Sequence, residues 1–180
     1  MDLAELQRRL RESRRSPAPA GQRRLEAAAP RGRVAIGADH GGWALKQTLV
    51  AHLAELGYEV EDVGTHGPQP VDYPDFALEV ARRVARGQCT RGIVIDGAGL
   101  GSCMVANKVR GVRAATCHDE PSVLNSRAHN DANVLALGAG RVPAGLAKRL
   151  VRLWLVTGFA GGRHARRVDK ITALDDERPA

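Results

Sequence analysis

Residues 91–108, RGIVIDGAGLGSCMVANK, place an acidic side chain where an apolar run meets a glycine-rich loop. The run 93–95 ends at Asp96, and glycines follow at positions 97, 99 and 101. Glycine adopts positive φ angles and permits close approach, so this loop could turn its N–H groups towards an anion. Its GxGxG spacing is not the GxGxxG of dinucleotide sites, and it lacks the lysine and hydroxyl of a P-loop. These differences argue against a nucleotide ligand.

Two further kinds of cluster could do chemistry. The segment 161–170, GGRHARRVDK, places Arg163 and Arg167 four residues apart, on one face of a predicted helix. Guanidinium groups so arranged can clamp a phosphate or carboxylate, although a solvated basic helix has the same pattern. The segments DHGG (39–42) and RAHND (127–131) place histidines beside carboxylates or amides, as proton transfer requires. A histidine taken singly could equally be structural.

The elements that must position these residues alternate between strands and helices. Apolar, β-branched runs predict strands at 34–37, 58–64, 92–96, 112–117 and 133–138. Amphipathic segments predict helices at 43–56, 73–87, about 102–109, 119–128 and 143–157, with a last helix from about Gly162. This order predicts an α/β fold: a Rossmann-like three-layer αβα sandwich around a five-stranded parallel sheet.

Ligands of such folds bind beyond the carboxyl ends of the strands. This rule directs attention to the residues that follow each predicted strand. They are Asp39 and His40, Asp96 with its glycines, the segment 117–119, and the segment 138–141.

Composition excludes several classes of function. Aromatic residues make up only 3% of the chain, so a base-stacking nucleic-acid platform is not expected. No apolar run is long enough to span a membrane. Three cysteines without CxxC spacing argue against a zinc or disulfide framework and for a reducing, cytoplasmic location. The net charge of +7 is concentrated in residues 1–31, which hold eight arginines against four acidic residues.

The chain divides into an N-terminal extension, residues 1–31, and a globular domain, residues 32–180. Leu3, Leu6 and Leu10 have helical spacing, which predicts a short amphipathic helix within residues 1–15, followed by a flexible linker rich in proline and alanine. Two interpretations stay open: a loosely docked tail, or a helix that binds a partner. The arrangement resembles the encapsulation peptides that direct enzymes into bacterial microcompartments, which would make a shell or scaffold protein the partner of residues 1–15.

Several motifs together resemble the ribose-5-phosphate isomerase B and galactose-6-phosphate isomerase family. They are VAIGADHGGWALK, VDYPDFA, the glycine loop with ANKVRGVRAA, AHNDANVLALGA and GGRHARRVDKI, in family order from about residue 33 to 173. The resemblance implies isomerisation of a phosphorylated sugar between aldose and ketose through an enediolate, without metal or cofactor. Ribose 5-phosphate and ribulose 5-phosphate are the expected pair. It also implies a homodimer or tetramer with active sites shared between subunits.

The resemblance assigns roles residue by residue. Asp96 and His129 take the catalytic positions, His129 as the acid–base group that opens the sugar ring. The implied substrate-binding residues are Asp39, His40, Tyr73, Gly97, Ala98, Gly99, Leu100, Gly101, Ser102, Asn130, Arg141, Arg163 and Arg167. Among these, Arg163 and Arg167 form the phosphate clamp, and Arg141 lies one place later than the substrate-contacting arginine of the family.

Asp96 is the main departure from the family pattern. Most members carry cysteine there as the base, and another branch uses glutamate at the position of Ser102. Three interpretations remain. Asp96 replaces the thiolate as base, and is a weak base unless burial raises its pKa; or it caps the loop and Cys103 or another group is the base; or the chain is a non-catalytic, sugar-phosphate-binding subunit. The third follows the A subunit of galactose-6-phosphate isomerase, which also carries aspartate. Galactose and tetrose phosphates stay open as substrates.

Overall fold

The computed structural model describes residues 31–177. The strands are β1 (Arg33–Ala38), β2 (Glu59–Asp62), β3 (Arg91–Asp96), β4 (Ala114–Thr116) and β5 (Val134–Gly138). The helices are α1 (Trp43–Glu55), α2 (Tyr73–Ala85), α3 (Gly101–Ala106), α4 (Glu120–Ala128), α5 (Ala144–Val156) and α6 (Ala165–Ala173). A 3-10 turn, Gly162–His164, leads directly into α6. The predicted α/β fold is confirmed.

The five strands form one sheet in the order β2-β1-β3-β5-β4, and every neighbouring pair is parallel. The register places Asp96 beside Gly138 and Ala38 beside Ile95. We call the edge at these carboxyl ends the upper edge of the sheet. The opposite edge, where the strands begin at residues such as Arg91 and Val134, is the lower edge.

Two hydrophobic cores cover the two faces of the sheet. On one face, alternate strand residues such as Ile36, Ile93 and Leu135 pack with Leu49 of α1 and Trp154 of α5. On the other face, Val94 and Ala136 pack with Val80 of α2 and Ala106 of α3. Alternation of this kind places successive side chains on opposite faces of a strand, so both faces are buried, as expected for a parallel sheet.

Some elements are shorter than the sequence predicts. β2 and β4 are the two outer strands and pair on one side only, and they have four and three residues. The helix expected at about 102–109 ends at Ala106 because the Asn107 side chain bonds elsewhere: its amide donates to the carbonyls of Cys103 and Ala114 and accepts from the Ala114 N–H.

The extension predicted for residues 1–31 lies almost wholly outside the described residues, as does the helix predicted within residues 1–15. Both stay predictions. Within the part of the chain that the structure describes, no helix is long and apolar enough to cross a membrane.

Candidate functional site

The loop after β3 is organised around the carboxylate of Asp96. Asp96 Oδ1 accepts hydrogen bonds from the backbone N–H groups of Ala98, at 2.8 Å, and of Gly99. Oδ2 accepts from the N–H of Ser102 at 2.9 Å. The Asp96 side chain is buried, so these donors take the place of water. The anion that this loop holds is therefore its own carboxylate.

These hydrogen bonds decide the ionisation of Asp96. Burial by itself would raise the pKa of Asp96, but hydrogen bonds from Ser102, Gly99 and Ala98 to the ionised form outweigh it, and the pKa is lowered. A strong base at this position would need a raised pKa, which this carboxylate does not have; the catalytic role of Asp96 stays a prediction. The geometry is that of a loop anchor, one of the alternatives that the sequence left open.

Close packing explains the glycines of this loop. A Cβ on Gly99 would lie 2.8 Å from the backbone N of Gly138, and a Cβ on Gly138 would lie 2.5 Å from the Ala98 carbonyl oxygen. Gly99 also has φ of +76°. The Thr116 hydroxyl donates to the Gly99 carbonyl at 2.5 Å and holds the loop against β4. The loop is thus wedged between the ends of β4 and β5.

Tyr73 closes the other side of the loop. A Cβ on Gly101 would lie 2.6 Å from the Tyr73 ring, so the ring rests against the loop backbone. Among the described residues, none accepts a hydrogen bond from the N–H groups of Gly97, Leu100 or Gly101. These three groups are the donors that the loop can offer to a ligand oxygen.

Asp39, His40 and Arg141 lie at the same upper edge. The Asp39 N–H donates to the Ile95 carbonyl, which places Asp39 one strand spacing from Asp96. Asp39 Oδ1 accepts from the Gly42 N–H at 2.9 Å. His40 Nδ1 lies 3.2 Å from the backbone of Val71, and the exposed Arg141 follows the end of β5. The structure therefore gathers the predicted strand-end residues at one edge.

The other predicted residues lie at the lower edge. His129 follows α4, which begins after the carboxyl end of β4 and returns along the sheet. The carbonyls of Asn130 and Asp131 accept hydrogen bonds from Arg113, the residue before β4. The His129 ring stacks on the His164 ring with centroids 4.1 Å apart.

Arg163 and Arg167 flank this pair of rings. Both arginines are exposed, Arg163 in the 3-10 turn and Arg167 in α6. His164 is buried, and its pKa is lowered by that burial and by the neighbouring His129, Arg163 and Arg167. The lower edge is therefore cationic, and it disfavours positive charge on His164.

One copy of the chain does not bring the two residue sets together. β3 alone, from Arg91 to Asp96, spans about 17 Å between the two edges. The upper set holds Asp39, Asp96 and the loop, and the lower set holds His129 with the arginines. A reacting sugar phosphate is too short to contact both sets within one subunit.

The sequence missed some residues that shape the lower edge. Asn125 Nδ2 lies 3.0 Å from His129 Nδ1, and the position of Asn125 four residues before His129 on a helix was the available signal. Asp131 pairs with both Arg113 and Arg127, at 2.9 and 2.7 Å. Cys103, the alternative base, packs against the core between α2 and α3, and its Sγ accepts from the Asn107 amide at 3.6 Å.

Comparison with known proteins agrees with the fold. The sequence profile described as Ribose/Galactose Isomerase matches residues 34–171. Ribose-5-phosphate isomerase B of Escherichia coli strain K12 is 47% identical over 146 residues, 81% of this chain and 98% of that protein. D-erythrulose-4-phosphate isomerase of Pectobacterium atrosepticum is 43% identical over 140 residues, 77% of this chain and 91% of that protein.

A solved structure shows the same architecture. Ribose-5-phosphate isomerase B of Clostridium thermocellum superposes with a TM-score of 0.79 at 52% identity, covering 81% of this chain and 98% of that one. The fold and these relatives thus define an α/β enzyme of the aldose–ketose isomerase class. The chain belongs to the ribose/galactose isomerase family.

Proposed function

We propose that this enzyme interconverts ribose 5-phosphate and ribulose 5-phosphate, in sites that combine the upper edge of one copy with the lower edge of a second copy. The observation that carries the proposal is the distance between the two residue sets, since neither set alone offers both a carboxylate with loop donors and a phosphate clamp. A twofold dimer would form two such sites at once.

Exposed apolar side chains beside each set support pairing of two copies. At the upper edge Leu100 is 53% exposed and Met104 is 66% exposed, and the Tyr73 ring against the loop is also partly exposed. Beside the lower set, Ile171 of α6 and Leu174, the residue after α6, are also exposed. An interface that contains both patches would be self-complementary, because each copy supplies one patch to the other.

The upper edge supplies the chemistry at C1 and C2. Isomerisation removes a proton from one of these carbons and returns it to the other, while negative charge develops on the oxygens. The N–H groups of Gly97, Leu100 and Gly101 are suited to stabilise that charge, because the anchor of Asp96 fixes them before substrate arrives. Asp96 thus acts on the reaction through the loop.

Two carboxylates at this edge differ in their hydrogen bonding. The Asp96 side chain accepts three backbone N–H groups, whereas the Asp39 side chain accepts one, from Gly42. The three donors stabilise the ionised form of Asp96, which makes Asp96 a weak base. In this proposal Asp39, one strand away from the donor loop, is the carboxylate that takes the proton.

The lower edge of the second copy supplies binding and ring opening. Arg163 and Arg167 would hold the phosphate, which fixes the reacting carbons at a constant distance from the upper edge. His129 would act on the ring oxygen of the cyclic aldose. Asn130 lies beside it, where it would bind a hydroxyl group of the sugar.

The substrate assignment rests on the relatives. Those of 47% and 52% identity are named ribose-5-phosphate isomerase B, whereas the relative named for a tetrose phosphate is 43% identical. The test is a panel of ribose 5-phosphate, galactose 6-phosphate and erythrose 4-phosphate, with the purified chain alone and solvent exchange of the C2 proton followed in parallel. We expect the highest kcat/KM with ribose 5-phosphate. A higher value with another sugar would overturn the assignment, and binding without exchange would make the chain a non-catalytic subunit.

A further inference from the structure

The lower edge contains a chain of side-chain amides that ends on His129. The Asn130 amide donates from Nδ2 to the backbone carbonyl of Asn125 at 3.2 Å and to Asn125 Oδ1 at 2.9 Å. The Asn125 amide in turn lies 3.0 Å from His129 Nδ1 through its Nδ2. Three consecutive groups are thus connected by hydrogen bonds of definite direction.

The direction of these hydrogen bonds follows from the first amide of the series, that of Asn130. A backbone carbonyl only accepts, so the group of Asn130 that faces it must be the NH2 group. That NH2 group also faces Asn125 Oδ1, which fixes the Asn125 amide with its nitrogen towards the imidazole. An amide nitrogen only donates, so His129 Nδ1 must accept, and the proton of the neutral ring lies on Nε2.

The same geometry disfavours the other tautomer. A proton on Nδ1 would point at the Asn125 NH2 group, which is itself a donor. His164 stacks on one face of the His129 ring, with the two ring centroids 4.1 Å apart, and supports the ring in this plane.

We infer that Asn125 is a positioning residue, which holds His129 in the Nε2–H tautomer so that the neutral ring donates a hydrogen bond to the ring oxygen of the sugar. The inference rests on the proposed function and deepens it. In ring opening the bond between C1 and the ring oxygen breaks, and its electron pair stays on that oxygen. The C1 hydroxyl proton leaves as the C1 carbonyl forms, and water carries it to the ring oxygen. His129 stabilises the developing charge and neither gains nor loses a proton.

Two substitutions separate this role from a merely structural one. In Asn125→Asp the carboxylate accepts from Nδ1–H and reverses the tautomer, whereas Asn125→Ala removes the amide and leaves the tautomer unconstrained. We expect kcat/KM for ribose 5-phosphate to fall about 10-fold in Asn125→Asp and less than about threefold in Asn125→Ala. A structural role predicts the reverse order, because alanine removes more contacts.

A second readout isolates ring opening. Ribulose 5-phosphate has no ring to open, since its phosphate occupies the hydroxyl that would close one. Solvent exchange of its C1 proton should therefore stay within about twofold of wild type in both variants. Equal losses of exchange and conversion would overturn the inference, whereas absence of both in the wild-type chain would instead overturn the proposed function.

The tautomer itself can be observed in the full-length wild-type chain labelled with ¹⁵N-histidine. Long-range ¹H–¹⁵N spectra should show His129 with a protonated Nε2 and an unprotonated Nδ1, assigned by loss of its signals in His129→Gln. The pattern should be exchanged in Asn125→Asp. A wild-type ring with its proton on Nδ1 would contradict the inference whatever the kinetics.

Discussion

The upper and lower edges of the sheet are constructed in different ways. At the upper edge, backbone N–H groups surround the buried Asp96 carboxylate, and glycines wedge the loop between strand ends. At the lower edge, side chains do the positioning: stacked imidazoles, a chain of amides and exposed arginines. Fixed backbone dipoles suit a reaction centre whose charge must be stabilised without rearrangement. Long cationic side chains suit a phosphate that must enter and leave.

The largest expected effects separate the two carboxylates of the upper edge. Asp39→Asn should lower kcat about 10³-fold and leave stability nearly unchanged, because it removes the proposed base but keeps an acceptor for the Gly42 N–H. Asp96→Asn should also lower kcat, and it should lower the free energy of unfolding by about 1–3 kcal/mol, because an amide cannot satisfy all of the loop N–H groups. Steady-state kinetics measures kcat of each variant, and urea unfolding measures its free energy of unfolding. Unchanged stability with abolished turnover in Asp96→Asn would make Asp96 the base.

The pH dependence of stability tests the same anchor. The pKa of Asp96 in the folded chain lies below its ordinary value of 3.8, so the ionised carboxylate stabilises the fold above that pH. This contribution is lost as the pH falls from 3.8 through the lower folded value. Urea unfolding across acidic pH should therefore show a steeper loss of stability in wild type than in Asp96→Asn. Parallel curves would show that Asp96 is not stabilised in its ionised form.

Glycine substitutions test how tightly the upper loop is packed. Gly138→Ala puts a Cβ 2.5 Å from a backbone oxygen that cannot move without shifting the loop. It should cost about 1–3 kcal/mol of unfolding free energy and reduce kcat. Gly145→Ala, in α5, is the matched control: no atom lies within 4 Å of the added Cβ. The control should keep full activity and gain slightly in stability; similar behaviour of both variants would mean that the loop is not rigid.

The smallest of these effects on kcat is expected at the lower edge. Arg163→Ala and Arg167→Ala should each raise KM for the phosphorylated sugar about 10-fold, with little change in kcat or in thermal stability, because both side chains are exposed. Lys170→Ala, an exposed cation of α6, serves as the control for net charge. An equal rise of KM in all three variants would mean that the phosphate is attracted by the general positive charge and is not bound by a specific clamp.

The sequence predicted the upper edge better than the lower edge, for physical reasons. Strand ends of a parallel sheet converge on one edge, so the alternation of strands and helices was enough to bring Asp39 and Asp96 together. The role of Asp96 could not be read in the same way, since it depends on which N–H groups turn inwards after Gly97. The amide chain to His129 depends on rotamers, and the wide separation of His129 from Asp96 appears only once α4 is seen to run back along the sheet.

The central claim, that each site takes its two edges from different copies, is tested most directly by mixing inactive variants. Asp39→Asn disables the upper edge, and the double variant His129→Ala, Arg167→Ala disables the lower edge. Co-expressed copies that pair at random should recover about a quarter of wild-type activity, because each mixed dimer contains one intact site. Recovered activity of that size, absent from either variant alone, is the predicted result. The claim would be contradicted if the co-expressed variants were no more active than each variant alone, or if a monomer of the wild-type chain were active.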